Sequence, residues 1–156
     1  LVTSTPGLLL AIATADCAAV LLADPEAGVA GACHAGWRGA VAEIVADTVE
    51  VMRGEGAEPA RIHAHIGPCL SRDVFEVGPE VAAQFADSRV HHPSPDAKPH
   101  VDLKGTLHDQ LAAAGVPSDA IEQSDHCTLQ EPDDFFSYRA TGGETGRMFG
   151  ALVLHP

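Results

Sequence analysis

The chain has 156 residues, 46% of them apolar, enough to bury one core and fold as a single domain over residues 1–156. Its formal net charge is −13. So acidic a surface repels nucleic acid, and no stripe of Lys or Arg offsets it, which excludes a nucleic-acid partner.

No run approaches the roughly 18 apolar residues of a membrane span, and no basic segment precedes the short apolar run at residues 7–13, so neither a membrane anchor nor a signal peptide is expected. Cys17, Cys33, Cys69 and Cys127 follow neither CxxC spacing nor a dense disulfide pattern; free thiols in a reducing cytoplasm are expected. Of the nine basic side chains only Lys98 and Lys104 are lysines, so arginine carries nearly all the positive charge. Arg53, Arg61, Arg72 and Arg89 read as surface residues in ion pairs. An Arg outside such pairs is a candidate grip for an anion, because its fork binds phosphate or carboxylate bidentately.

In chain order, residues 8–14 and 18–23 read as buried strands broken at Ala15-Asp16-Cys17, and residues 24–28 as a turn. A third strand, residues 29–34, follows. Val41, Ile44, Val45, Thr48 and Met52 then recur at helical spacing, and Gly54 and Gly56 end the helix. Residues 61–66 form a short strand into the Gly67-Pro68-Cys69 turn, and residues 79–85 look helical. Residues 91–99, with Pro93, Pro95 and Pro99, read as a surface loop. A second amphipathic helix covers residues 103–114, and strands are expected near residues 122–128 and 147–154 with an irregular segment between them. Alternating strands and helices argue for a layered α/β domain. The helix faces carry no surplus apolar stripe, so a monomer is expected.

Cys17 sits at the break between two strands, and His34 where a third strand turns into a helix. If these strands are neighbours, both side chains project from one strand-end edge, where open α/β sheets place their sites. A thiolate and an imidazole suit zinc, and a catalytic zinc takes three protein ligands with one position open. Singly, each has a plainer reading, a small buried thiol and a hydrogen-bonded turn residue. Cys33 alternates with His34 and should point into the core. Arg38, with Gly36, Gly39 and a helix N-terminus, has the parts of an anion site, unless it merely packs on Trp37. Phe136, Tyr138 and Arg139 lie in the densest aromatic stretch, suited to a flat heterocycle or to a minor apolar cluster.

Taken together, Thr14-Ala15-Asp16-Cys17, His34-Ala35-Gly36-Trp37-Arg38-Gly39, Ile66-Gly67-Pro68-Cys69, Phe75-Glu76-Val77-Gly78, Val101-Asp102-Leu103, Cys127-Thr128, Phe135-Phe136-Ser137-Tyr138-Arg139 and Thr145-Gly146-Arg147-Met148 occur in the order typical of the laccase-domain family. Its members were first named multicopper polyphenol oxidases and are now described as purine nucleoside phosphorylases. The resemblance implies a layered α/β (α+β) sandwich with a mixed sheet flanked by helices, similar to the catalytic domain of deamidating bacterial toxins. It implies phosphorolysis of adenosine, inosine and guanosine to base and ribose 1-phosphate, with adenosine deamination and methylthioadenosine phosphorolysis also attributed to the family.

By resemblance Cys17 and His34 are two of three zinc ligands, with copper the family's alternative metal. The third is a His upstream of the TADC segment, and since the chain begins at Leu1, close to its first strand, an amino-terminal part is expected to lie outside this sequence. Arg38 would bind phosphate, Phe136, Tyr138 and Arg139 would wall the purine, and Asp16 would orient His34 or transfer a proton. Ala140-Thr141 stands where the family usually continues Arg-Asp. Rival readings are a Cys17 nucleophile activated by His34, a copper oxidase of phenols, and a purine-binding module without turnover.

Overall fold

The computed structural model describes residues 1–155. A two-residue strand β1 (Val2–Thr3) is followed by β2 (Leu10–Thr14), β3 (Ala18–Asp24) and β4 (Val29–Ala35). Next come α1 (Trp37–Val41), α2 (Ile44–Gly54), β5 (His63–Ile66), α3 (Pro79–Ala82) and the short strands β6 (Val90–His91) and β7 (His100–Val101). Helix α4 (Leu103–Ala113), β8 (Ile121–Gln123), α5 (Tyr138–Thr141) and β9 (Met148–Leu152) complete the order.

The main sheet is five-stranded and mixed, in the order β1-β4-β3-β5-β8, with only β5 and β8 parallel. Strands β2 and β9 form a separate antiparallel ribbon. The ribbon stacks on one face of the main sheet through Leu10, Ile12, Ala19, Ala30 and Ala32. Helices α2 and α4 cover the other face through Val45, Val49, Met52, Leu107 and Leu111. Strand β4, sandwiched between these layers, is therefore buried on both sides and built of small residues. A side chain at Gly31 would lie 2.6 Å from Met52 Sδ, and one at Gly150 would lie 2.5 Å from Ala19 Cβ. The Ala and Gly content of the chain thus serves close layer-to-layer approach.

Several boundaries differ from the sequence expectation. The helix after Gly36 is two helices, because Glu43 takes a left-handed conformation (φ 55). That break resets the helical phase so that Val45, Thr48, Val49 and Met52 all face the sheet. The Pro-rich segment is the expected surface loop over residues 92–99, and its ends are closed where Val90 and His91 pair with Val101 and His100. The strand expected at residues 122–128 stops at Gln123, and Cys127 makes an isolated bridge to Cys69.

Helix α4 is capped by Asp102, whose carboxylate accepts from the Gly105 N–H at 3.0 Å. Arg89 holds that cap at 3.0 Å and Asp109 at 2.7 Å. Among the described residues no helix is long and apolar enough to cross a membrane.

Candidate functional site

Strands β3 and β4 are antiparallel with Ala18 opposite Ala35 and Ala19 opposite His34, so Cys17 and Gly36 meet just past the strand ends. The approach is close: a side chain on Gly36 would lie 2.6 Å from Cys17 Sγ. The alternation along β4 buries Cys33 and leaves His34 exposed. His34 Nδ1 lies 3.1 Å from the Ala13 carbonyl. A carbonyl only accepts, so the neutral ring carries its proton on Nδ1 and keeps the Nε2 lone pair free for a ligand.

Cys17 and His34 line one cleft of about 400 Å³, together with Asp16, Arg38, Tyr138, Arg139 and Arg147, and with Trp37, Leu70, Phe75 and Leu103 as apolar walls. Burial, reinforced by the Asp16 charge, pushes the Cys17 thiol above its ordinary range. A free thiolate is disfavoured there unless a cation compensates it.

Asp16 is buried and sits at φ 88, a conformation costly for a side-chain-bearing residue. The surroundings hold it there. Its two carboxylate oxygens accept from Thr128 Oγ1 at 2.8 Å and from the Arg139 N–H at 2.6 Å, and its carbonyl accepts from the Leu70 N–H at 3.1 Å. One residue thereby ties the β2–β3 turn to the segments after Cys69, after Cys127 and at the start of α5. With a hydrogen bond on each oxygen, Asp16 is fixed in place at the edge of the cleft.

Arg38 stacks on Trp37, with its guanidinium carbon 4.3 Å from the ring centroid, and still lines the cleft. Helix α1 is only five residues long, so it adds little dipole to the anion site expected there. Arg139 donates to the Glu76 carbonyl at 3.1 Å and lies over the Phe75 ring at 5.9 Å. Phe136 is not a wall of the cleft: its ring packs on Gly146, where a Cβ would lie 2.7 Å from Cζ.

Arg147 lines the same cleft and lies outside the sequence expectation for the site. The signal that marks Cys17 and His34 also marks Arg147, because Thr14 pairs with Met148 and places Arg147 just past a strand end.

The arginines divide in two. Arg53 pairs with Glu50, Arg61 with Asp24, Arg72 with Asp73, and Arg89 with Asp102 and Asp109. Arg38, Arg139 and Arg147 have no carboxylate partner among the described residues, and all three line the cleft. An acidic protein thus keeps its unpaired guanidinium groups at one place, where they favour an anion.

Residues 1–155 match the family described as multi-copper polyphenol oxidoreductase laccase. The chain belongs to that family. It is 47% identical over 156 residues to a purine nucleoside phosphorylase of Deinococcus radiodurans, covering 99% of this chain and 60% of the relative. It is 41% identical over 159 residues to a protein named adenosine deaminase RL5, from an unknown prokaryotic organism, covering 97% of this chain and 60% of that protein. The crystal structure of Bacillus licheniformis hypothetical protein YfiH superposes with a TM-score of 0.92 at 34% identity, covering 98% of this chain and 60% of the other. The chain therefore spans about 60% of the length of the curated relatives it matches. The mixed sheet with helices on one face and a β ribbon on the other is the fold of this laccase family.

Proposed function

We propose that this laccase-family protein is a purine nucleoside phosphorylase in which Cys17 and His34 hold part of a zinc site. The observation that carries the reading is the convergence of the unpaired Arg38, Arg139 and Arg147 on the cleft that contains Cys17 and His34. Phosphorolysis needs a bound phosphate beside the nucleoside, and unpaired guanidinium groups meet that need with bidentate, charge-assisted hydrogen bonds. In the reaction a phosphate oxygen attacks C1′. The C1′–N9 bond breaks, its electron pair leaves with the base, and the base takes up a proton.

Arg38 and Arg139 neutralise the phosphate, and Arg139 and Tyr138 border the purine. Asp16 is a positioning residue, fixing Cys17 beside it and Arg139 through the backbone.

Among the described residues no group of three His, Cys, Asp or Glu is placed to hold a metal. Cys17 and His34 would supply two of the three donors that a catalytic zinc takes. When bound, it would supply positive charge against the phosphate. Gly36→Ala is expected to push the Cys17 thiol out of place and to lower zinc affinity on the order of tenfold to a hundredfold, measured by competition with a chelator. Unchanged zinc affinity would remove Cys17 from the ligand set.

A second reading is adenosine deamination, favoured by the relative named adenosine deaminase RL5. Chromatography of adenosine incubated with and without phosphate separates the two. Adenine that forms only with phosphate is the expected product. Inosine formed without phosphate, and no adenine in either case, would replace the phosphorylase with a deaminase.

A further inference from the structure

We infer that Arg147 is a third phosphate-binding residue of the cleft and that Phe136 positions it, an inference that rests on the phosphorylase reading. Arg38 is fixed by stacking on Trp37, and Arg139 by the Glu76 carbonyl. Arg147 is held differently. Its Nη1 donates to two carbonyls of its own turn, Thr145 at 2.9 Å and Gly146 at 2.8 Å. Those bonds use one end of the fork and leave Nη2 and Nε free to face a ligand, the edge that grips phosphate bidentately.

The turn itself needs an anchor, and Phe136 supplies it. Half of Phe136 is exposed, which is unusual for a large apolar ring. The ring lies flat enough on Gly146 that a Cβ there would meet Cζ at 2.7 Å and Cε1 and Cε2 at 2.8 Å. Only glycine accepts a ring at that distance, and the Gly146 carbonyl is one of the two that hold Arg147. The run from Phe136 through Gly146 to Arg147 explains why an aromatic outside the cleft sits beside it in the fold. It also gives the unpaired third guanidinium a task that neither nucleoside walls nor ion pairs provide.

The test uses the full-length zinc-loaded protein and inorganic phosphate alone, with binding measured by isothermal titration calorimetry. Arg147→Ala is expected to raise the phosphate Kd about tenfold or more, Arg147→Lys to recover part of the loss, and Arg53→Ala to leave the Kd unchanged. Phe136→Ala is expected to raise it several-fold, with Phe136→Tyr restoring the wild-type value because the ring is kept. In steady-state kinetics with inosine, KM for phosphate rises in Arg147→Ala while KM for inosine holds, a split that a general loss of structure would not produce.

Wild-type phosphate binding with an unchanged Kd in Arg147→Ala would overturn the assignment and leave the phosphorylase reading standing. An unchanged Kd in Phe136→Ala alone would overturn the positioning role. Absence of phosphate binding in the wild type would overturn the phosphorylase reading itself.

Discussion

Cys17→Ala is expected to lower kcat/KM for inosine phosphorolysis roughly a thousandfold, about 4 kcal/mol of transition-state stabilisation, while the thermal midpoint of unfolding stays nearly constant. Cys17 lines the cleft and its Sγ abuts Gly36, so its loss leaves the sheet-to-helix packing intact. Burial and the Asp16 charge disfavour a free thiolate at this position, which fits a thiolate compensated by a bound cation better than a free nucleophile. Metal analysis of the variant separates the two chemistries. Zinc lost together with activity supports a ligand. Activity lost with zinc retained would make Cys17 the nucleophile of a Cys–His hydrolase and contradict the account.

Asp24→Ala is expected to destabilise the protein by about 3 kcal/mol, read from urea unfolding at neutral pH. Asp24 ends β3 fully buried and accepts from the N–H groups of Glu26, Ala27 and Glu58 and from the Arg61 guanidinium at 3.0 Å. Burial on its own pushes the carboxyl up. The Arg61 hydrogen bond and the backbone donors outweigh that effect and hold it at about 2, below its ordinary 3.8. A depressed carboxyl contributes stability that is fully present above its unfolded value and is lost as pH falls through the folded one. The gap between wild type and Asp24→Ala should therefore narrow as pH falls from about 4 to about 2. A gap constant over that range would show that the ion pair and its backbone donors do not set the stability of this corner.

The parts legible in the sequence are those written in local patterns. The alternation of Cys33 and His34 places one in the core and one at the cleft, as the period of a strand requires. Helix α4 follows its apolar spacing, over the residues expected. The break at Glu43 has no such signal, since Glu has no preference of its own for the left-handed region it adopts there.

The β2–β9 ribbon pairs Thr14 with Met148 across most of the chain, and a contact of that separation leaves no local mark. This is why the sequence shows Arg147 at a strand end without showing that this end lies at the same edge as Cys17. Phe136 shows the opposite case: the aromatic stretch is real, but neighbouring residues in an irregular segment face different ways. Tyr138 lines the cleft, while Phe136 rests on Gly146.

Arg61 and Arg89 stand in ion pairs, as the sequence led one to expect. Both are half-buried against carboxylates and tie elements together, Arg61 the end of β3 and Arg89 the cap of α4.

The most direct test of the phosphorylase claim is phosphorus-31 NMR of inorganic phosphate incubated with inosine and the full-length zinc-loaded protein. Inosine has no amino group to lose, so deamination cannot contribute. The account predicts a growing ribose 1-phosphate signal matched by hypoxanthine release and absent in His34→Ala. Inosine that persists with phosphate unchanged, under conditions where adenosine is converted, would contradict it.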